Sequence, residues 1–374
     1  MIGPWVVVAL SVVVSAGLTY AFKRPGSPLY VLDHPNERSL HDRPVPKVGG
    51  IAIIAAILLG IGAGGIGADL VRLVPAFVVA FLLVATVGFS EDRVGVPAGV
   101  RLVVHLAAGT VMVMGGFTVT RLVVPGIEIV WPWWLAAPMT IVFVAWMINL
   151  YNFMDGVDGL AAGMGMIGFG TFAVLGWLAG DAVYMTASLA VAGAAGGFLV
   201  FNFPPARAFM GDTGSSALGV LVAGFILWGS YLWIVPIWIS VLVFSPFIVD
   251  ATATLVRRMI RKEPFWRAHR SHYYQRLVHL GWRHRDVMLA EYLLMITCSG
   301  AAMYALRSPP SIKWLILASV AVVYIVCASA IALAEPGGIV TTQVEPPSAE
   351  SDSAERHSQT AGSKQLKHGT GRQG

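Results

Sequence analysis

Charge is the scarce commodity in this chain. Asp, Glu, Lys and Arg make up only 12% of its 374 residues, while 56% are hydrophobic. A soluble globular domain carries roughly 25% charged residues. That shortage excludes a water-soluble protein and leaves an all-α polytopic integral membrane protein, since only helices or closed barrels satisfy their backbone within lipid. Cysteine is nearly absent. Cys298 and Cys327 both sit inside apolar runs, which excludes a disulfide framework and reads as core packing. No basic segment precedes the first apolar run, Trp5 to Phe22, so that run is expected to be a first span and not a cleaved signal. No internal repeat is visible. The pI of about 9.3 does not point to nucleic acid, because the positive charge lies in short loops between spans, where topology accounts for it.

What is present is a series of apolar runs near the 20 residues that a transmembrane helix requires. Eleven are expected, over about 4–22, 48–66, 71–89, 100–117, 134–151, 160–179, 183–201, 214–232, 235–256, 287–306 and 312–334. One set of alternate loops, together with the C-terminal tail, holds 21 of the 25 Lys and Arg residues; the other set holds only Arg72, Arg121, Arg307 and Lys313. Lys/Arg bias marks the cytoplasmic side, so the N-terminus is expected outside and the C-terminus inside. The outward segment 118–131 alternates about Pro125-Gly126 and predicts a small periplasmic hairpin. Residues 1–334 form the expected transmembrane catalytic domain. Residues 335–374, rich in Ser, Gln, Gly, Pro and charge, form an expected disordered cytoplasmic tail.

Five polar clusters fall on the same, cytoplasmic side. The most concentrated is I-N-L-Y-N-F-M-D-G-V-D-G-L, Ile148 to Leu160, which has two carboxylates and no Lys or Arg. Asn152, Asp155 and Asp158 are spaced by three, which places them on one side of a helix or tight turn. Acids this close to lipid are costly and mark function; without a cationic neighbour they call for a divalent cation or a proton-transfer role. Arg43 to Gly50 brings Lys47 to a position where a phosphate could meet it, and Glu91-Asp92-Arg93 closes the third run. Phe201 to Ser216 contains Asn202 and the sequence Gly211-Asp212-Thr213-Gly214-Ser215-Ser216, a carboxylate and hydroxyls at a helix start, where N-terminal amides favour anions. The fifth cluster, Arg257 to Arg285, centres on His269, Arg270 and His272. Zinc would need further His or Cys ligands, whereas arginine forks bind phosphate oxygens in pairs. Each cluster alone has a plainer reading: a positive-inside anchor, a solvated face, an N-cap. Asp250, within the ninth run, either pairs with Arg257 or Arg258 or faces the same pocket.

Together the clusters are equipment for phosphoryl transfer. Magnesium takes one or two carboxylates plus phosphate oxygens, and cationic side chains stabilise charge developing in transit. A secondary transporter is the rival from another class, but transporters place their acids near the midplane, at broken helices related by a repeat. Here the acids lie at inner span ends.

N-x-x-D-G-x-D-G-L (Asn152 to Leu160), F-M-G-D-T-G-S (Phe209 to Ser215), P-K-V-G-G (Pro46 to Gly50) and the His/Arg loop, in this order, resemble the polyprenyl-phosphate N-acetylhexosamine-1-phosphate transferases, over about residues 33 to 285. The resemblance implies transfer of HexNAc-1-phosphate from a UDP-HexNAc (UDP-GlcNAc or a related sugar) to undecaprenyl phosphate, with release of UMP. It implies Mg²⁺, with Mn²⁺ as a substitute, and a bacterial inner-membrane, multi-pass enzyme with a cytoplasmic active site and room for a homodimer. Asp212 then matches a metal-binding aspartate, joined by Asp155. Asp92, Glu91, Asp155 and Asp158 take catalytic positions. Lys47, Asn152, Asn202, Thr213, Ser215, His269, Arg270 and His272 take substrate-binding ones. Two departures are informative. The family's paired aspartates after the third span appear here as Glu91-Asp92. The histidine loop reads H-R-S-H without consecutive histidines, which argues against the phospho-MurNAc-pentapeptide transferases of peptidoglycan synthesis, the runner-up, and toward enzymes that start O-antigen or surface-polysaccharide chains. Two mechanisms are compatible with these residues: single-step attack by the lipid phosphate, with Asp92 as base, or a prior carboxylate attack giving an acyl phosphate.

Overall fold

The computed structural model describes residues 3–35, 43–263 and 270–335. The chain divides into two units, residues 1–332 and 333–374. Of the second unit only 333–335 are described, so the expected disordered tail lies outside the described residues.

Fourteen helices occur among the described residues: α1 (Pro4–Phe22), α2 (Gly49–Ala63), α3 (Gly67–Leu73), α4 (Pro75–Val94), α5 (Ala98–Met114), α6 (Trp133–Phe153), α7 (Leu160–Ala179), α8 (Ala182–Asn202), α9 (Gly211–Tyr231), α10 (Ile237–Val243), α11 (Ser245–Ile260), α12 (Tyr273–His279), α13 (His284–Arg307) and α14 (Pro310–Ala334). Eight of them, α1, α4, α6, α7, α8, α9, α13 and α14, are long and apolar enough to cross a membrane. The apolar helices α2 and α5 are shorter, at 15 and 17 residues. Every expected span coincides with helix, but the ninth is not continuous: α10 and α11 meet at an 83° bend. Pro246 in the first turn of α11 lacks an N–H for a continuous helix, and the Ser245 hydroxyl donates to the Leu242 carbonyl at the break. The third expected span likewise starts anew at Pro75, after the short α3.

Two small antiparallel ribbons complete the described structure. Strands β1 (Leu32–Asp33) and β2 (Val45–Pro46) pair ahead of α2, which sequence patterning did not suggest. Strands β3 (Arg121–Val124) and β4 (Ile127–Val130) form the expected hairpin, with Arg121 opposite Val130 and Gly126 at φ +77° in the turn.

Helix α9 is the centre of the bundle, with 94% of its apolar window buried, against 6% for α14. Association in lipid relies on close packing through small residues, and α9 supplies them. A Cβ on Gly219 would stand 2.8 Å from the Ile148 Cα of α6, and one on Gly50 of α2 would stand 2.3 Å from the Gly214 nitrogen. Further along α9, Phe225 packs edge to ring with Phe169 and Trp228, and Tyr184 lies tilted against both Phe225 and Trp228. The large aromatics thus fill one half of the bundle, and the glycines bring three helix ends together at the other.

Candidate active site

The chain enters α9 through a backbone junction. Phe209 N–H donates to the Pro46 carbonyl at 2.8 Å, and the Phe209 carbonyl accepts from Val48 and Gly49 at 3.2 and 3.0 Å. Gly50 N–H donates to Met210 O at 2.9 Å. The P-K-V-G-G and F-M-G-D-T-G-S segments, 160 residues apart in sequence, are therefore laced directly together. Gly211 then turns with φ +70°, and a Cβ there would lie 2.6 Å from an Asp92 carboxylate oxygen.

Asp92, at the end of α4, caps α9 from outside. Its Oδ1 accepts from Asp212 N–H at 2.9 Å and its Oδ2 from Thr213 N–H at 2.9 Å and from the Thr213 hydroxyl. These amides are among the donors a helix start leaves open. A carboxylate from a neighbouring helix satisfies them and complements the positive end of the helix dipole.

The capped turn presents the Asp212 carboxylate to its surroundings. Arg101 Nη1 on α5 donates to Asp212 Oδ2 at 2.9 Å and lies 3.5 Å from Glu91 Oε1. Asn152 Nδ2 on α6 donates to Asp212 Oδ1 and to the Ser215 hydroxyl, each at 2.8 Å. Lys47 stands at the edge of the same group and pairs with Asp33 at 3.1 Å. Burial works against its charge, but Asp33, then Asp92 and Asp212, more than compensate and raise the ammonium above its ordinary value. Lys47, Gly50, Phe89, Asp92, Met210 and Thr213 line a shallow recess there.

Asp155 lies in the turn between α6 and α7. Among the described residues its carboxylate has neither a hydrogen bond nor an ion pair. Burial pushes its pKa well above the carboxylate range, the charges of Asp212 and Asp92 push the same way, Lys47 opposes and Asp158 adds. A carboxylate without a partner among the described residues, within the field of three other acids, is suited to a cation. No cluster of three His, Cys, Asp or Glu side chains able to hold a metal occurs among the described residues. Magnesium does not require one, because it takes one or two carboxylates and completes its shell with water and substrate phosphates. Asp155 and Asp212 fit that donor set.

Residues 74–230 match the family described as Glycosyl transferase family 4. A probable undecaprenyl-phosphate N-acetylglucosaminyl 1-phosphate transferase of Bacillus subtilis is 32% identical over 332 residues, covering 88% of this chain and 90% of that protein. The chain belongs to glycosyl transferase family 4. Other relatives of this family-4 transferase include the decaprenyl-phosphate N-acetylglucosaminephosphotransferase of Mycobacterium tuberculosis, 30% identical with 84% of this chain and 86% of that protein covered. A phospho-N-acetylmuramoyl-pentapeptide-transferase of Shouchella clausii is 30% identical, with 67% and 79% covered.

Of the residues singled out in its sequence, the transferase brings Lys47, Glu91, Asp92, Asn152, Asp155, Asp212, Thr213 and Ser215 to one end of the bundle, opposite the hairpin. Several serve differently from expectation. Thr213 and Ser215 are buried, with hydroxyls bonded to Asp92 and to Gly211 O and Asn152, so they hold the turn. Asn202, also buried, accepts from Gly159 N–H at 2.9 Å and donates to Ala208 O at 3.0 Å; it is a staple between two loops. Asp158 does not share a face with Asn152, because α6 ends at Phe153. Its carboxylate instead accepts from Ala206 N–H at 2.9 Å and faces His284 at 3.7 Å. Glu91 accepts from Val96 N–H and pairs with Arg101, which makes it a partner to that cation. His272 is buried with Nδ1 3.2 Å from Asp250 Oδ1. Asp250 also accepts from Tyr273 and Tyr274 N–H at 3.0 and 3.1 Å, so among the described residues it caps α12 instead of pairing with Arg257 or Arg258. Arg270 is described, at the approach to α12, while His269 lies outside the described residues.

Arg101 is the functional residue that sequence reading passed over, having counted it only as a topological charge. Its signal was present: a lone cation one turn into an apolar helix, four residues before His105, which itself lies 3.0 Å from Asn149 Nδ2.

Proposed function

We propose that this enzyme transfers N-acetylhexosamine-1-phosphate from a UDP-HexNAc to undecaprenyl phosphate at the cytoplasmic face of the bacterial inner membrane, with Mg²⁺ as cofactor. The observation that carries this reading is the Asp155 carboxylate, without a hydrogen-bond or ion-pair partner among the described residues, beside the Arg101–Asp212 pair, with Lys47 at the rim. That set accommodates a diphosphate and a cation together. The names of its relatives, which act on polyprenyl phosphates, support the acceptor class.

In this reading Lys47 and Arg101 bind donor phosphate oxygens, and Asp155 and Asp212 hold the cation. When bound, Mg²⁺ neutralises the diphosphate and makes UMP a better leaving group. Asn152 keeps the Asp212 carboxylate in its rotamer. Asp92 fixes the start of α9 from below. An oxygen of the lipid phosphate forms a bond to the sugar-linked phosphorus, and the bond from that phosphorus to the bridging oxygen breaks as UMP departs. A single displacement is favoured over an acyl phosphate, because both Asp92 oxygens already accept hydrogen bonds from α9. A general base has little to remove, since a phosphomonoester is largely ionised at neutral pH, with a second pKa of about 6. Positioning and electrostatics then do most of the catalysis.

The test is release of UMP by the purified protein with undecaprenyl phosphate. UDP-GlcNAc, UDP-GalNAc and UDP-MurNAc-pentapeptide are offered in turn, with Mg²⁺ or EDTA. Turnover with a UDP-HexNAc that EDTA abolishes is expected. Turnover with the MurNAc-pentapeptide donor alone, or with none of the donors, would overturn the assignment.

A further inference from the structure

The turn that carries Asp155 has little structure of its own. Between the end of α6 and the start of α7 its internal backbone bonds are few, Asp155 N–H to Asn152 O at 3.3 Å and Leu160 N–H to Val157 O at 3.1 Å among them. Since the Asp155 carboxylate has no hydrogen bond or ion pair among the described residues, its position depends on the backbone beneath it. Two tyrosine hydroxyls grip the ends of that backbone from different elements. Tyr274 of α12, fully buried, donates to the Phe153 carbonyl at 3.0 Å. Tyr292 of α13 donates to the Gly159 carbonyl at 2.7 Å. Both fits are tight: a Cβ on Gly156 would stand 2.2 Å from the Tyr274 hydroxyl oxygen, and one on Gly163 would stand 2.1 Å from the Tyr292 ring. Tyr274 is itself held in place, because Asp250 of α11 accepts the first two backbone N–H groups of α12. Burial, with Asp250 and then Asp155 adding, keeps the Tyr274 proton in place, so the hydroxyl remains a donor at working pH.

We infer that Tyr274 and Tyr292 are positioning residues, a two-sided clamp that sets the Asp155 turn in the geometry a divalent cation requires. This inference rests on the functional reading above for the identity of the ligand. The clamp's geometry stands without it. The chain of contacts runs from the Asp250 cap, through Tyr274, to the acid turn, and so joins the histidine segment to the candidate metal site. Each tyrosine-to-phenylalanine change removes one hydroxyl and leaves the ring packed, so the fold is expected to survive and the turn to loosen.

The experiment uses full-length protein in nanodiscs, as wild type, Tyr274→Phe, Tyr292→Phe and a control, Tyr324→Phe, whose hydroxyl shares a 2.7 Å hydrogen bond with Ser245 at the break between α10 and α11. Hydrogen–deuterium exchange of peptides covering 153–162 is followed across a Mg²⁺ titration without substrates, and transfer is measured over the same Mg²⁺ range. The expected result is faster exchange of this turn in both clamp variants and a several-fold higher Mg²⁺ concentration for half-protection and for half-maximal rate. Donor KM should be little changed at saturating Mg²⁺, and the control should resemble wild type. Unchanged exchange and Mg²⁺ dependence in folded clamp variants would overturn the inference. So would faster exchange with an unaltered Mg²⁺ requirement, which would make the tyrosines merely structural. If wild type transfers no UDP-HexNAc, the functional reading fails, while the exchange titration still decides the clamp.

Discussion

Asp155 shows what a single side chain gives up for function. Its carboxyl is held above the ordinary range by burial and by neighbouring acids. The folded protein therefore binds that proton more tightly than the unfolded chain does. By linkage, this group favours folding below the ordinary carboxylate pKa, and the contribution is lost as pH rises through the raised folded value. At neutral pH without a cation, Asp155 works against the fold. Asp155→Asn is accordingly expected to raise the melting temperature of metal-free protein at pH 8, to flatten the decline in stability between pH 4 and pH 8, and to remove most of the stabilisation by Mg²⁺. Thermal unfolding in detergent, with and without Mg²⁺, checks all three. A lower melting temperature for the variant at pH 8 would contradict the assignment. The identity of this residue was legible in the sequence, because an acid with no basic neighbour at a membrane edge has few plain explanations. Its separation from Asp158 was not: the three-residue spacing implied a shared face, and the end of α6 at Phe153 turned the two carboxylates to different partners.

At the scale of elements, the site is a junction of helix ends around α9, and Asp92 is the bolt. Sequence reading placed Asp92 as a base, since an acid after an apolar run says nothing about which amides it will meet. The structure gives it the Asp212 and Thr213 amides in the first turn of α9. Hydrogen bonds to a charged group contribute about 1.5–3 kcal/mol each, so Asp92→Ala is expected to lower stability by an amount on the order of several kcal/mol. Asp92→Asn, which keeps one acceptor, should retain fold and part of the activity. Calorimetry together with UMP release on both variants distinguishes cap from base: a base predicts that Asn is as inactive as Ala while both remain fully stable. Gly211→Ala should resemble Asp92→Ala, because its Cβ would intrude on the same carboxylate. The hairpin at 121–130 was legible from its alternation about Pro125-Gly126. The bend between α10 and α11 was not, since a continuous apolar run carries no mark of direction.

For the whole molecule, the Lys/Arg asymmetry predicts an orientation. Single cysteines introduced at Gly126 in the hairpin turn and at Arg283 before α13, in a chain with both native cysteines replaced by serine, should label from opposite sides in intact cells. The hairpin should react from outside. Labelling of both from one side would contradict the orientation expected from the Lys/Arg asymmetry. The four motifs gave the family from sequence, and relatives covering nearly the whole chain agree. The polymer branch was less legible. Relatives include both N-acetylglucosamine and MurNAc-pentapeptide enzymes, and the histidine loop expected to separate them contributes, in His272, a buried partner for Asp250.

Transfer is proposed to depend on a cation held by Asp212, at the start of α9. The measurement that tests it most directly is the rate of UMP release from UDP-GlcNAc, or whichever UDP-HexNAc the wild type prefers, by purified Asp212→Asn across a Mg²⁺ titration. The account predicts a loss of at least about a hundredfold, the scale of removing one preorganised electrostatic contact. Added Mg²⁺ should not restore the rate, and the melting temperature without metal should stay close to wild type. A folded Asp212→Asn protein that turns over near the wild-type rate with an unaltered Mg²⁺ requirement would contradict it.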